Sequence, residues 1–205
     1  MKNRFGPTDE IAVFQMVESG LEEVRNPSQL FLEARSIGST GSVIIPTLEG
    51  SRPLLIEAQA LVTDTFYSTP SRRSTGIDPN RLALLLAVSE KRCQLRLGGC
   101  DVFASVTGGF KITEPAADLG VLLAIISSFT NKAVDSKTIV IGEVGLGGEV
   151  RAVQRIEARL KEALHMGFTT AIIPKHNHTA LKKTQSTTMN LVPVQWVDDA
   201  LREIQ

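Results

Sequence analysis

An α/β (α+β) sandwich built on a mixed sheet is the fold class that this 205-residue sequence predicts. Three observations lead there. Strand-like runs come first as a hairpin, between residues 42 and 66, and later alternate with helical segments; that order sets helices against a sheet with both parallel and antiparallel neighbours. Residues 82–88 are apolar on nearly every side, as a helix buried between layers is, and Leu119, Leu122, Leu123 and Ile126 form the most apolar face of a second buried helix. A further segment, 154–166, is amphipathic at helical spacing.

At the start of the chain, residues 1–35 differ from the remainder and are read as a leading segment, with 36–205 as the main domain. Ile11, Val13, Gln15 and Val17 suggest a short strand, residues 20–27 a loop and turn, and 29–34 a helical turn. Ser42 to Thr47 and Pro53 to Phe66 are rich in Val, Ile and Leu around the turn Glu49-Gly50-Ser51-Arg52, which predicts a β-hairpin. Ser68 to Gly76 is polar and reads as an exposed loop carrying Arg72 and Arg73. Asp78 is placed to cap a helix with Pro79 at its first position. Val102 to Thr107 is a strand, and Glu114-Pro115 opens a second buried helix running to about residue 128. Thr138 to Ile141 is a strand, and a glycine-bearing hairpin covers 142–153. In the amphipathic helix Ile156, Leu160, Ala163 and Leu164 share one face and Gly167 closes it. Two strands, 171–174 and 191–194, and a short helix over 198–204 complete the chain.

Composition narrows the function classes. Lysine plus arginine total 22, and aspartate plus glutamate total 22, so no bulk positive charge drives nucleic-acid binding and only a local basic patch could. Cys93 and Cys100 are too few for a disulfide framework and match no zinc spacing; they read as reduced core thiols. The opening MKNRFGPTDE lacks an apolar signal region, and no apolar run approaches the roughly 18 residues of a membrane span. A soluble protein of a reducing compartment is expected.

Few constellations carry chemistry. No G-x-x-x-x-G-K-[ST] loop is present to cradle phosphates. The glycine-rich run Gly142 to Gly148 does not lead into a helix start and reads as a hairpin turn. His165, His176 and His178 form no metal-ligand pattern, and the last two read as solvated loop residues, so no metal is assigned. Arg72 and Arg73, with Arg52 and Arg81 nearby in sequence, are the candidate phosphate contacts, because arginine forks match phosphate oxygens. A solvated loop or a subunit-contact loop are the competing readings of the same residues.

A resemblance adds to this. Lys2-Asn3-Arg4-Phe5-Gly6 is similar to the pentapeptide that joins the RecA-like ATPase core of the RadA/Sms family to its C-terminal domain. Gly41-Ser42-Val43, Gly50-Ser51-Arg52-Pro53, Arg72-Arg73, Asn80-Arg81-Leu82, Asp101-Val102-Phe103, Gly108-Gly109, Glu114 to Leu119 and Gly142 to Leu146 come in the family's order, over nearly all of the chain. The resemblance implies a Lon-protease-like fold, ribosomal protein S5 domain 2-like, in a DNA-dependent ATPase that promotes branch migration in recombinational DNA repair. It implies a homo-oligomeric ring or hexamer, single-stranded or branched DNA and a RecA-type recombinase as partners, and no membrane. It also implies a cytoplasmic location, or an organellar one in a eukaryote. ATP, magnesium and zinc belong to the parts of such proteins outside this sequence. The pentapeptide is implied to serve DNA-linked ATPase function between subunits, with Lys2 and Arg4 as its cations.

The same resemblance supplies a test of activity. Lon-type peptidases use a serine in a G-P-S-A-G-like segment and a lysine base on a later helix, a pairing that needs a hydroxyl and a desolvated amine. Matching on Gly120 puts Asp118 at the serine position, and matching on Gly167 puts Arg159 at the lysine position. Aspartate offers no hydroxyl and a guanidinium is no base. A non-catalytic scaffold and DNA-guiding domain without peptidase activity is expected, with Asp118 and Arg159 bridging across the vacated site. The alternatives are a peptidase of another design, for which Ser105, Ser127 and Ser128 are the remaining hydroxyls, and a truncated stand-alone module that binds partner subunits or DNA without ATP.

Overall fold

A computed structural model describes residues 13–17, 19–24, 26–33, 35, 37–181 and 188–204. The pentapeptide at 2–6, with its candidates Lys2, Asn3, Arg4, Phe5 and Gly6, lies outside the described residues.

The strands are β1 (Val13–Val17), β2 (Gly20–Val24), β3 (Ser42–Glu49), β4 (Arg52–Asp64), β5 (Arg72–Thr75), β6 (Cys100–Val106), β7 (Thr138–Val140), β8 (Glu143–Val144), β9 (Val150–Arg151), β10 (Thr170–Pro174) and β11 (Asn190–Val194). The α-helices are α1 (Pro27–Glu33), α2 (Pro79–Arg92), α3 (Asp118–Thr130), α4 (Ile156–His165), α5 (Lys175–Leu181) and α6 (Val197–Arg202). Seven strands form the main sheet in the order β11-β10-β7-β3-β4-β6-β5, while β1-β2 and β8-β9 are separate two-stranded ribbons. β11, β10, β7 and β3 run parallel, β4 is antiparallel to both its neighbours, and β5 is parallel to β6. The mixed sheet expected from the order of elements is therefore present.

The alternation of side chains along β3 and β4 sorts the core into two layers. Val43, Ile45, Ile56 and Ala58 face α2, α3 and α6, whereas Ile44 and Leu55 face α4 and α5 on the other side. Helix α3 is the central pillar: every residue from 118 to 128 is buried. Each of its leucines and isoleucines contributes roughly 1.5–3 kcal/mol by leaving water. Gly120 lets α3 lie directly on β3, since a Cβ there would strike the Ile45 side chain. Helix α2 starts as its sequence predicts: Asp78 accepts from the Arg81 backbone N–H at 2.9 Å, with Pro79 in the first turn.

Three expectations need correction. Helix α2 is not buried on all sides; Leu82, Leu85, Leu86 and Val88 face inward while Leu84 is exposed, so it forms an outer layer. Residues 20–24, read as loop, form β2 of the first ribbon. The polar segment 68–76 contains β5, whose hydrogen bonds to β6 hold it as the last strand of the sheet. Arg72, Arg73 and Thr75 are exposed and Ser74 only half-buried, so this edge strand has no buried face to demand apolar alternation, which is why its composition resembled a loop.

Candidate functional site

Arg159 is the largest fully buried side chain among the described residues, 1% exposed. From the first turns of α4 it reaches across to β3 and to the segment ahead of α3. Its Nη1 donates to the Pro46 carbonyl at 2.6 Å and to Glu114 Oε1 at 2.7 Å, its Nη2 to Glu114 Oε2 at 2.5 Å, and its Nε to the Gln154 carbonyl at 3.2 Å. Glu114 also accepts from the Thr47 hydroxyl and the Leu48 N–H, each at 2.7 Å. Burial works against the Glu114 carboxylate, but the Arg159 fork, Thr47 and the Leu48 N–H together hold its pKa below the usual glutamate value. Bidentate arginine–carboxylate pairing of this kind fixes both planes as well as their separation. It ties α4, β3 and the start of α3 to one point.

A second fork lies at the next turn of the same segment. Arg81, on α2, donates through Nε to Asp118 Oδ1 at 2.7 Å and through Nη2 to Asp118 Oδ2, and its Nη2 also reaches the Val144 carbonyl at 3.2 Å. The Val144 N–H donates to Asp118 Oδ2 at 3.1 Å, and Gly142 bonds in both directions with the α3 entrance, its N–H to Ala116 O at 2.9 Å and its carbonyl from Leu119 N at 3.0 Å. The β8-β9 ribbon is thereby fastened to the first turn of α3. Burial raises the Asp118 pKa, and the Arg81 fork and Val144 N–H oppose that rise. The cleft beside this fork holds about 370 Å³ and is lined by Ile77, Arg81, Leu85, Thr113, Glu114 and Asp118.

The expected Asp118–Arg159 bridge is therefore not formed. Each residue has its own partner, Asp118 with Arg81 and Arg159 with Glu114. The physical reason is position: Asp118 opens the helix and faces α2 and the β8 strand, while Glu114 precedes the 3-10 turn Pro115–Ala117 and faces β3 and α4. Sequence reasoning missed Glu114. Its signal was available, because an acid stands immediately before Pro115 in the stretch compared with G-P-S-A-G. Aligning on that proline instead of Gly120 sets Ala116, buried in the 3-10 turn, at the serine position. In either register, Asp118 or Ala116, the position has no hydroxyl.

The four arginines grouped as phosphate contacts do not form one patch. Arg81 is engaged by Asp118. Arg52 pairs in the ladder with Glu49 at the start of β4, ten residues from Val62, which lies in the row of Arg72; at about 3.3 Å per residue they are about 33 Å apart. Arg72 and Arg73 are neighbours on a strand, so they point to opposite faces: Arg72 lies in the row of Val102, on the helix-covered side, and Arg73 in the row of Phe103, on the open side. Both are exposed.

Among the remaining candidates, Ser127 and Ser128 have structural partners. Ser127 Oγ donates to the Lys132 carbonyl at 2.5 Å and accepts from the Gly41 N–H, and Ser128 Oγ accepts from the Val62 N–H, each at 2.9 Å. Ser128 stitches the end of α3 to β4, and Ser127 stitches it to Gly41 just ahead of β3, where Gly41 at φ 79° lies too close to the Ala60 carbonyl for any side chain. His176 and His178 are on α5, not in a loop, and Asn177 between them bonds both the N–H and the carbonyl of Val153. Cys93 and Cys100 are buried free thiols; burial, with Asp198 nearby, pushes the Cys93 thiol up to about 12. Among the described residues no three His, Cys, Asp or Glu side chains are grouped to hold a metal ion, and no helix is long and apolar enough to cross a membrane.

Comparison with known proteins agrees with this architecture. Residues 106–204 match the family described as the Lon protease (S16) C-terminal proteolytic domain, a span that contains both forks' acids and Arg159. The chain is 52% identical over 202 residues to the DNA repair protein RadA of Chlamydia pneumoniae, covering 98% of the chain and 45% of that relative. It is 48% identical over 202 residues to the RadA of Bacillus subtilis, covering 98% and 44%, and 47% identical over 201 residues to that of Aquifex aeolicus, covering 98% and 44%. The chain thus spans less than half the length of these curated relatives.

Proposed function

Because the chain belongs to the RadA family of DNA repair proteins, as its Lon-type C-terminal domain, we propose that it is a non-catalytic scaffold that assembles subunits and guides DNA. The single observation that carries this reading is the Arg159–Glu114 fork. Where a Lon-type peptidase needs a serine and a free amine, this domain has Ala116 or Asp118 and a guanidinium committed to four hydrogen bonds. The architecture that would position a nucleophile instead locks three elements together.

On this reading the domain serves a DNA-dependent ATPase that processes recombination intermediates and promotes branch migration in the cytoplasm. ATP, magnesium and zinc act in the portion of such proteins that this chain does not span. Subunits associate head to tail around a closed ring of six, since heterologous contacts close when their rotation divides a full turn. Single-stranded or branched DNA and a RecA-type recombinase are the partners. Arg73 and Arg72, exposed on the edge strand, supply phosphate contact; Arg81 is withdrawn from that role by Asp118.

The test is solution mass by light scattering over a range of protein concentrations, with and without single-stranded DNA. A mass rising to about six subunits supports the scaffold reading. A monomer at every concentration, with no DNA bound, rejects it.

A further inference from the structure

The two faces of the main sheet are unequally covered. From Gln59 to the end of β4, and over the adjoining parts of β6 and β5, the side opposite α2 and α3 is left bare, whereas α1 and α4 cover the first half of β4; the bare side chains fall in two ladder rows. One row is Leu61, Phe103 and Arg73, and the next, two residues along, is Gln59, Ser105 and Thr75. Leu61 is 59% and Phe103 37% exposed, unusual for the middle of a sheet. Together with the turn at residues 39–42 these rows line a groove of about 530 Å³.

The chemistry of the groove is one-sided. Among the described residues Arg73 is its only charged lining residue, and the rest are hydroxyls, an amide, glycine, alanines, Leu61 and the Phe103 ring. Acids equal bases over the whole chain, so a groove free of carboxylates is a departure from the average. On this face the acids next along β4 and β6 are buried and engaged: Asp101 accepts from the Ser71 N–H at 2.7 Å, and Glu57 accepts from the Ser42 hydroxyl; the exposed Asp64 at the end of β4 alternates to the opposite face with Val62. A protein partner of ordinary composition would meet no acid to pair with its lysines and arginines. A phosphodiester backbone would meet Arg73 and a row of hydroxyl and amide donors, and its bases would meet an aromatic ring and an aliphatic side chain.

We infer that this bare sheet face is a stacking platform for single-stranded DNA, with one base on Phe103 and Leu61 and the adjoining phosphate on Arg73. The inference rests on the DNA-guiding reading above and adds to it the recognition of bases, not of backbone alone. Stacking on an aromatic ring tolerates any base, because each has a π-face. Arg73 is one strand spacing from Phe103, roughly 4.8 Å, within reach of a phosphate joined to the stacked nucleotide. Double-stranded DNA keeps its bases stacked on one another and would not use the platform.

The experiment measures binding of fluorescent oligodeoxythymidylate of about 20 nucleotides, longer than the ~4–16-nucleotide site of comparable platforms, and of an abasic strand of equal length. Phe103→Leu keeps an apolar side chain and removes the ring; it is expected to weaken oligodeoxythymidylate binding about tenfold and leave the abasic strand unchanged. Arg73→Ala is expected to weaken both and to lower the salt slope by about 1. If the unsubstituted chain binds and Phe103→Leu binds both strands equally well, the platform is wrong while the DNA-guiding reading stands. If Phe103→Leu lowers the solution mass instead, the face is a subunit contact and the inference is overturned. If the unsubstituted chain binds neither strand, the DNA-guiding reading itself fails.

Discussion

Replacing Arg159 by alanine should be among the most damaging single substitutions in the domain. The guanidinium is 1% exposed and makes four hydrogen bonds, two of them to Glu114. Removing one member of a buried ion pair costs about 3–5 kcal/mol, because the other is left desolvated without its countercharge. Glu114 is 21% exposed and keeps Thr47 and the Leu48 N–H, which brings the expected loss to the lower end, about 3 kcal/mol. Pro46 O and Gln154 O lose their donor as well. Against a typical domain stability of about 5–15 kcal/mol, this is a large fraction. Urea unfolding followed by circular dichroism would read it as a lower midpoint at unchanged slope. The double variant Arg159→Met with Glu114→Gln removes both charges and should recover part of the loss, giving a coupling energy within the ~0.5–3 kcal/mol range of contacting pairs. A loss below about 1 kcal/mol for Arg159→Ala, the level of an ordinary surface pair, would refute the view that this fork organises the domain.

Two further expectations concern the same region. The Glu114 pKa is lowered on folding, so its contribution to stability is present above the unfolded glutamate pKa of about 4.3 and is lost as pH falls through the folded value. Asp118, raised by burial, has the opposite sign, because protonation favours its folded form; acid unfolding of Glu114→Gln should therefore lose part of its steepness while the Asp118→Asn profile does not, as read by unfolding midpoints from pH 3 to 6, roughly the carboxylate range. Gly120→Ala should destabilise by about 1–3 kcal/mol through overpacking against Ile45, measured by thermal unfolding; a neutral effect would mean that α3 and β3 are not in close contact.

The parts of the fold that were legible in the sequence are those where local chemistry and burial agree. Asp78 before Pro79 announced a helix start, Gly167 a helix end, and Leu119, Leu122, Leu123 and Ile126 the apolar face of a buried helix. The β3-β4 hairpin was readable from the Val-, Ile- and Leu-rich runs around Gly50. Strand β5 was not legible, because Arg72-Arg73-Ser74-Thr75 is held by ladder bonds and has little to bury. At the site, Arg159 and Asp118 were found but their partners were not. Arg81 is 37 residues from Asp118 and Glu114 is 45 from Arg159, separations at which only the packing of α2, α3 and α4 decides who meets whom. Arg72 and Arg73 seemed one patch while read as a loop; strand geometry alone sends them to opposite faces.

Hydrolysis of fluorescently labelled casein by the purified chain, with a working Lon-type peptidase as the positive control, puts the non-catalytic reading at greatest risk. No release above buffer is predicted, with or without single-stranded DNA, since a hydroxyl is missing at Ala116 and Asp118 and Arg159 is held by Glu114. Casein release that stays with the protein through purification and disappears in Arg159→Met would contradict it.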